Sequence, residues 1–124
     1  NIASASASAS ASASAQAFAL PRMSLNEVAA ITSKAQGAVC SDTGLAHLAA
    51  VVSLPAVTLY GATDTGLIGT YGQNQHHEIS NFDCAPCYKR QCPLENASNG
   101  EPVCMENISA QQVWNRLIRL LPAQ

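Results

Sequence analysis

Apolar and polar positions alternate along the chain in short periodic blocks separated by turn residues. Residues 17–20 are a brief apolar run stopped by Pro21, which reads as a strand. Ser24-Leu25-Asn26-Glu27 has the spacing of a capping box, and Leu25, Val28, Ala29 and Thr32 then share one helical face. Gly37 stands where a glycine would close that helix. Residues 38–41 predict a short buried strand, residues 45–52 a helix apolar nearly all round, and residues 56–60 a second strand stopped by Gly61. A Gly- and Thr-rich loop covers 62–75, a short strand is expected near 77–80, and 81–106 reads as a cysteine-bearing loop. Ser109 and Gln112 have capping-box spacing again. They open a terminal helix whose apolar positions are Val113, Trp114, Leu117, Leu120 and Leu121.

The order β-α-β-α-β with short connections implies a parallel sheet flanked by helices. Three or four strands make a partial Rossmann-like sheet, so the expectation is the later half of a doubly wound α/β domain. Residues 3–15 alternate strictly between Ala and Ser. Such a run cannot bury enough surface to offset its ordering entropy. Residues 1–16 are therefore set apart as artificial or provisional sequence with no function, and 17–124 as the α/β domain.

Composition narrows the function. With 124 residues the chain suits one domain. Six Lys+Arg and a net charge of −2 argue against a nucleic-acid reader. Only 11% of residues are charged, against roughly 25% in an average soluble domain. Thr43 to Thr63 contains no Asp, Glu, Lys or Arg, a length that would suit a membrane span. His47, Ser53, Pro55 and Gly61 interrupt it, so a buried helix followed by a buried strand is the better reading. The N-terminus lacks the basic and apolar regions of a secretory signal.

The segment richest in chemistry is Cys40-Ser41-Asp42-Thr43-Gly44-Leu45-Ala46-His47. It joins a strand to a helix at the carboxyl edge of the sheet, where open α/β folds bind ligands. The free N–H groups of Thr43, Gly44 and Leu45 would face an anion, and Gly44 would let it come close. The helix dipole contributes about 0.3–1 kcal/mol per charge. Asp42 would repel a phosphate but suits sugar hydroxyls, and His47 lies one turn on, within reach. The plainer alternative is that Asp42 and Thr43 merely cap the helix while His47 is a core residue. Asp64 reads first as a turn-former and only second as a ligand contact. The loop from Gly66 to Gly72 is a candidate flap over a sugar, and Tyr60 and Tyr71 read as packing residues.

Four blocks in order carry a family resemblance: Leu20-Pro21-Arg22-Met23-Ser24-Leu25, Ser41-Asp42-Thr43-Gly44-Leu45-Ala46-His47-Leu48, Val57-Thr58-Leu59-Tyr60-Gly61-Ala62-Thr63-Asp64, and Gly66-Leu67-Ile68-Gly69-Thr70-Tyr71-Gly72. Together they resemble the bacterial ADP-heptose:lipopolysaccharide heptosyltransferases of glycosyltransferase family 9, with the glycine-bearing loop more like the heptosyltransferase I branch than II. The resemblance runs from about Leu20 to Leu121 and implies the nucleotide-sugar-binding C-terminal part of a two-domain GT-B fold. It implies an inverting transfer of heptose from ADP-heptose to the Kdo-lipid A inner core. The main chain at Met23 would meet adenine, the amides of Thr43, Gly44 and Leu45 the diphosphate, and Asp42 and His47 the heptose or its phosphate. The catalytic base is expected outside this chain, in an N-terminal domain, so the chain alone is not expected to catalyse. The resemblance also implies a cytoplasmic protein, peripheral to the inner membrane if attached at all, with a lipid-linked Kdo acceptor and no cofactor required for the chemistry.

Cys84, Cys87, Cys92 and Cys104 follow C-x2-C-x4-C-x11-C, and Cys40 stands apart in a strand. Four thiolates could hold one structural Zn²⁺. Reduced thiols and two disulfides remain alternatives, the last disfavoured in the cytoplasm. Lys89 and Arg90 would lower the thiol pKa. Relatives in the family carry similar cysteine-rich insertions that look structural. His76 and His77 are adjacent on a strand and face opposite ways, so at most one could join a site. The sequons at Asn96 and Asn107 are discounted. Two other functions stay open: a non-enzymatic α/β module with a structural four-cysteine metal site, and a related transferase using another nucleotide sugar.

Overall fold

A computed structural model of the chain describes residues 17–94 and 102–122. The Ala-Ser run and the Asn96 sequon lie outside them. The elements are α1 (Leu25–Thr32), β1 (Ala38–Ser41), α2 (Gly44–Val51), β2 (Ala56–Tyr60), α3 (Thr65–Ile68), β3 (Gln75–Ile79), α4 (Val103–Glu106) and α5 (Ala110–Leu120). The strands form one parallel sheet in the order β1-β2-β3, with Ala38 opposite Ala56 and Ala56 opposite Gln75. The predicted α/β class, the β-α-β-α-β alternation and the parallel sheet are all present.

Period-2 alternation on β2 divides the core into two layers. Ala56 packs with Ala49 and Leu54, joined by Ala38, Cys40 and Val52. On the other face Val57 packs with Val113 and Leu117, joined by Leu59, Ile108, Leu120 and Leu121. Helix α2 thus covers one face of the sheet, with α1 against α2, and α5 covers the other. As the central strand, β2 is the best buried, with Ala56, Val57, Thr58 and Tyr60 inaccessible. Glu78 of β3 fastens α5. Its buried side chain accepts from Gln112 Nε2 and lies 3.7 Å from Arg116 Nε and 3.3 Å from His76 Nε2.

Several expectations need correcting. Residues 17–20 form no strand: Phe18 is 78% exposed and the run has no hydrogen-bonded partner among the described residues. Strand β1 is half-exposed rather than buried, because it is the outer strand of the sheet and only Ala38 and Cys40 face α2. Helix α2 buries only Ala46 and Ala49, while Leu45 and Val51 lie open.

The capping box at Ser24 forms in full, and the Ser24 hydroxyl and N–H, both donating to the Glu27 carboxylate, hold it below its usual pKa. That helix nonetheless ends at Thr32 with Ser33 as its cap, so Gly37 is not the terminating glycine. Gly37 instead allows close packing, since a Cβ there would stand 2.9 Å from Leu121 Cδ2. At Ser109 only half the box forms. Its hydroxyl accepts from the Gln112 amide, but the Gln112 side chain has gone to Glu78. Within the expected loop at 81–106, α4 buries Val103 and Cys104. Trp114, read as part of the apolar stripe, is 56% exposed.

Candidate functional site

The carboxyl ends of β1 and β2 lie side by side because Ser41 pairs with Leu59. The residues that follow, Asp42-Thr43-Gly44 and Gly61-Ala62-Thr63-Asp64, therefore share one edge of the sheet. The Thr63 hydroxyl donates to Asp42 Oδ2 at 2.5 Å and ties these two loops together. Asp42 is half-buried by this contact, which leaves its other oxygen free of any hydrogen bond from the described residues.

Thr43 is the N-cap of α2, with extended backbone, and its side chain makes no capping bond. Its hydroxyl reaches back weakly to the Ser41 carbonyl at 3.4 Å. The first bond of the helix runs from the Ala46 N–H to the Thr43 carbonyl at 3.0 Å. No described residue accepts from the N–H of Thr43, Gly44 or Leu45, and all three residues are exposed. A Cβ placed on Gly44 would have nothing within 4 Å, so the turn faces open space. The expected trio of free amides is therefore accessible, with the carboxylate of Asp42 at their base.

His47 is exposed on α2, one turn after Thr43 and Gly44, and so is not the core histidine of the plainer alternative. Met23 is half-buried in the extended segment just before α1, with no hydrogen bond to the Asp42–Gly44 turn among the described residues. Asp64 is the N-cap of α3 and accepts from the Gly66 N–H at 2.7 Å, the turn-forming role read first.

The Gly66–Gly72 segment is not a free flap. Its first three residues belong to α3, and it is then pinned at Thr70, which is 4% exposed. The Thr70 N–H donates to Tyr60 Oη at 3.2 Å, and His77 Nε2 lies 3.0 Å from Thr70 Oγ1 and 3.1 Å from its carbonyl oxygen. The rings of His77 and Tyr60 meet edge-on, with centroids 5.1 Å apart. Tyr60 is a packing residue as expected, whereas Tyr71 is 80% exposed and packs little. His76 and His77 do face opposite ways, one to Glu78 and the other to Thr70. Thr63, Thr70 and Glu78 carry no local signature, and only the strand register could have shown what they touch.

Cys84, Cys87, Cys92 and Cys104 line one cavity together with Lys89 and Arg90. All five cysteines are free thiols. Among the described residues, no three His, Cys, Asp or Glu side chains are already gathered as a metal site. Burial and the neighbouring thiols push the Cys104 thiol up, and burial alone does the same for Cys40. No helix among the described residues is long and apolar enough to cross a membrane.

The sequence model of glycosyltransferase family 9 (heptosyltransferase) matches residues 3–98. Lipopolysaccharide heptosyltransferase 1 of Pseudomonas aeruginosa is 38% identical over 113 aligned positions, covering 84% of this chain and 32% of that protein. The enzyme of the same name from Salmonella typhimurium is 59% identical over 56 positions, covering 45% of this chain and 18% of that protein. The solved structure of E. coli heptosyltransferase WaaC with ADP aligns over 49% of this chain and 19% of its own length, at 49% identity and a TM-score of 0.48. The chain therefore spans 32% or less of the length of these relatives. By its match over residues 3–98, the chain belongs to glycosyltransferase family 9, the heptosyltransferases.

Proposed function

We propose that this chain forms part of the nucleotide-sugar-binding side of a GT-B heptosyltransferase, which takes heptose from ADP-heptose and passes it, with inversion, to a lipid-linked Kdo acceptor in the lipopolysaccharide inner core. The observation that carries this reading is the open turn at the sheet edge. Three free amides at the N-terminus of α2 stand beside a carboxylate held by Thr63, in a chain of this family.

Each group has a task that its chemistry suits. The amides of Thr43, Gly44 and Leu45 receive the diphosphate, with the α2 dipole adding about 0.3–1 kcal/mol per charge. Their contribution grows as the bond between sugar and diphosphate breaks and negative charge collects on the leaving group. The carboxylate of Asp42 accepts from sugar hydroxyls, and its Thr63 bond holds it in one orientation before the donor arrives. His47, exposed one turn along α2, reaches the heptose or its phosphate, and the main chain at Met23 meets the adenine. The acceptor hydroxyl attacks from the opposite side and gives its proton to a carboxylate outside this chain. In-line geometry needs both partners held at once, and this sheet edge holds only the donor. Such an enzyme works in the cytoplasm, at the surface of the inner membrane where its acceptor is embedded.

The test is heptosyl transfer from ADP-heptose to Kdo-lipid A, comparing the enzyme with its Asp42→Ala and Asp42→Asn variants. Both are expected to lose transfer by about a hundredfold or more, about 2.7 kcal/mol of transition-state stabilisation. Unchanged transfer by both variants, or no ADP-heptose binding by calorimetry, would remove this reading.

A further inference from the structure

The cysteine-bearing segment has a chemistry of its own, separate from the donor edge. Cys84, Cys87 and Cys92 lie on a stretch without helix or strand, and Cys104 lies on α4, buried. Although Cys104 stands on a separate helix, the four thiols line one cavity of about 270 Å³. Its wall includes Ala62, just after β2, and among the described residues no carboxylate or histidine. We propose that this cavity is a structural metal site in which Cys84, Cys87, Cys92 and Cys104 together hold one Zn²⁺.

Three observations support it. The first is the donor set: four sulfurs with the first pair spaced C-x2-C suit a tetrahedral soft-ligand ion. The second is charge. Four thiolates around Zn²⁺ leave a net −2, and Lys89 and Arg90 in the same lining supply +2. The third is architecture. Residues 80–94 have no secondary structure of their own, yet both the segment and α4 are pinned to the sheet edge. The Tyr88 N–H donates to the Ala62 carbonyl at 2.7 Å, and the Ser80 hydroxyl donates to the Cys104 carbonyl at 2.6 Å. A Cβ on Gly61 would stand 2.9 Å from Cys104 Sγ, so that sulfur is a fixed point against the sheet.

The four thiols share the cavity without being gathered at ligand distances. Zn–S bonds of about 2.3 Å would bring the sulfurs to about 3.8 Å from one another. The irregular 84–92 stretch closes on Cys104 to reach that geometry, and the four thiols release their protons to solvent as the ion enters. Cys40, on β1, is outside the cavity and serves as an internal control. Such a site would fix the loop beside Ala62 and Thr63 without touching the donor, so its test is independent of the transfer reading.

The full chain, purified under reducing conditions from zinc-supplemented medium, is assayed for bound zinc and for zinc released on mercurial titration of its thiols. The proposal expects about one zinc per chain, released as four thiols react, retained in Cys40→Ser and lost in Cys87→Ser and Cys92→Ser. If those variants fail to fold, cobalt titration of the unaltered chain decides the question through thiolate-to-cobalt charge-transfer absorption, abolished by prior alkylation. A zinc-free chain with no cobalt spectrum, or zinc retained in Cys87→Ser, would overturn it.

Discussion

The Thr63 hydroxyl donates to Asp42 Oδ2 at 2.5 Å, binding the loop after β1 to the loop after β2 across the carboxyl edge of the sheet. The two residues are 21 apart in sequence and meet only because their strands run parallel in adjacent register. One oxygen of the carboxylate is thereby committed to the protein and the other to whatever occupies the edge. A side chain ordered in advance loses less conformational entropy when it binds.

Thr63→Val removes the donor and keeps the shape. Denaturant unfolding is expected to show a loss of about 1.5–3 kcal/mol, the range for a hydrogen bond to a charged group. The Kd for the nucleotide sugar should weaken by roughly tenfold, about 1.4 kcal/mol. Thr63→Ser, which restores the hydroxyl, should recover most of both.

Gly44→Ala separates folding from binding. A Cβ there meets nothing within 4 Å, and the position needs no left-handed backbone. Alanine in the first turn of α2 should hold or raise the melting temperature, since glycine costs a helix roughly 0.5–1 kcal/mol relative to alanine. The added methyl group nevertheless stands where a diphosphate would approach the amides. Nucleotide affinity should therefore fall while stability does not, as calorimetry and thermal melting of one preparation would show.

Gly69→Ala should do the opposite. A Cβ at Gly69 would lie 2.8 Å from His77 Cε1 and closer still to the Thr65 carbonyl oxygen. Relief requires α3 or the His77 ring to move, which loosens the Thr70 anchor. Overpacking of this kind costs about 1–3 kcal/mol. Urea unfolding should show that loss, with faster hydrogen exchange at the Thr70 amide, now bonded to Tyr60 Oη.

The parts of this fold legible in the sequence are those whose cause is local. Apolar residues 56–60 between Pro55 and Gly61 mark β2, Ser24 with Glu27 marks the start of α1, and the 3.6-residue spacing of Val113 and Leu117 marks α5. Asp42-Thr43-Gly44 is legible as a strand-to-helix turn for the same reason. Where neighbours decide, the pattern misleads. Residues 17–20 are apolar enough for a strand but have no partner among the described residues, and β1 is exposed because nothing described covers its outer side. Gln112 has the spacing to complete a capping box, yet its Nε2 donates to the buried carboxylate of Glu78, and this charge-assisted bond draws the side chain away from the Ser109 N–H. Thr63 and Thr70 carry no signal, since their partners come from strand register and not from nearby residues.

The proposed function rests on the N–H groups of Thr43, Gly44 and Leu45 receiving the diphosphate of the donor. Amide-resolved NMR of the isotopically labelled chain during titration with ADP tests it most directly, since it registers even millimolar binding. These three amide signals should shift most, saturably, with Gly44 foremost and adenosine alone leaving them nearly still. If they stay fixed while ADP is added to millimolar concentration, or if the shifts centre on another face of the protein, the account is wrong.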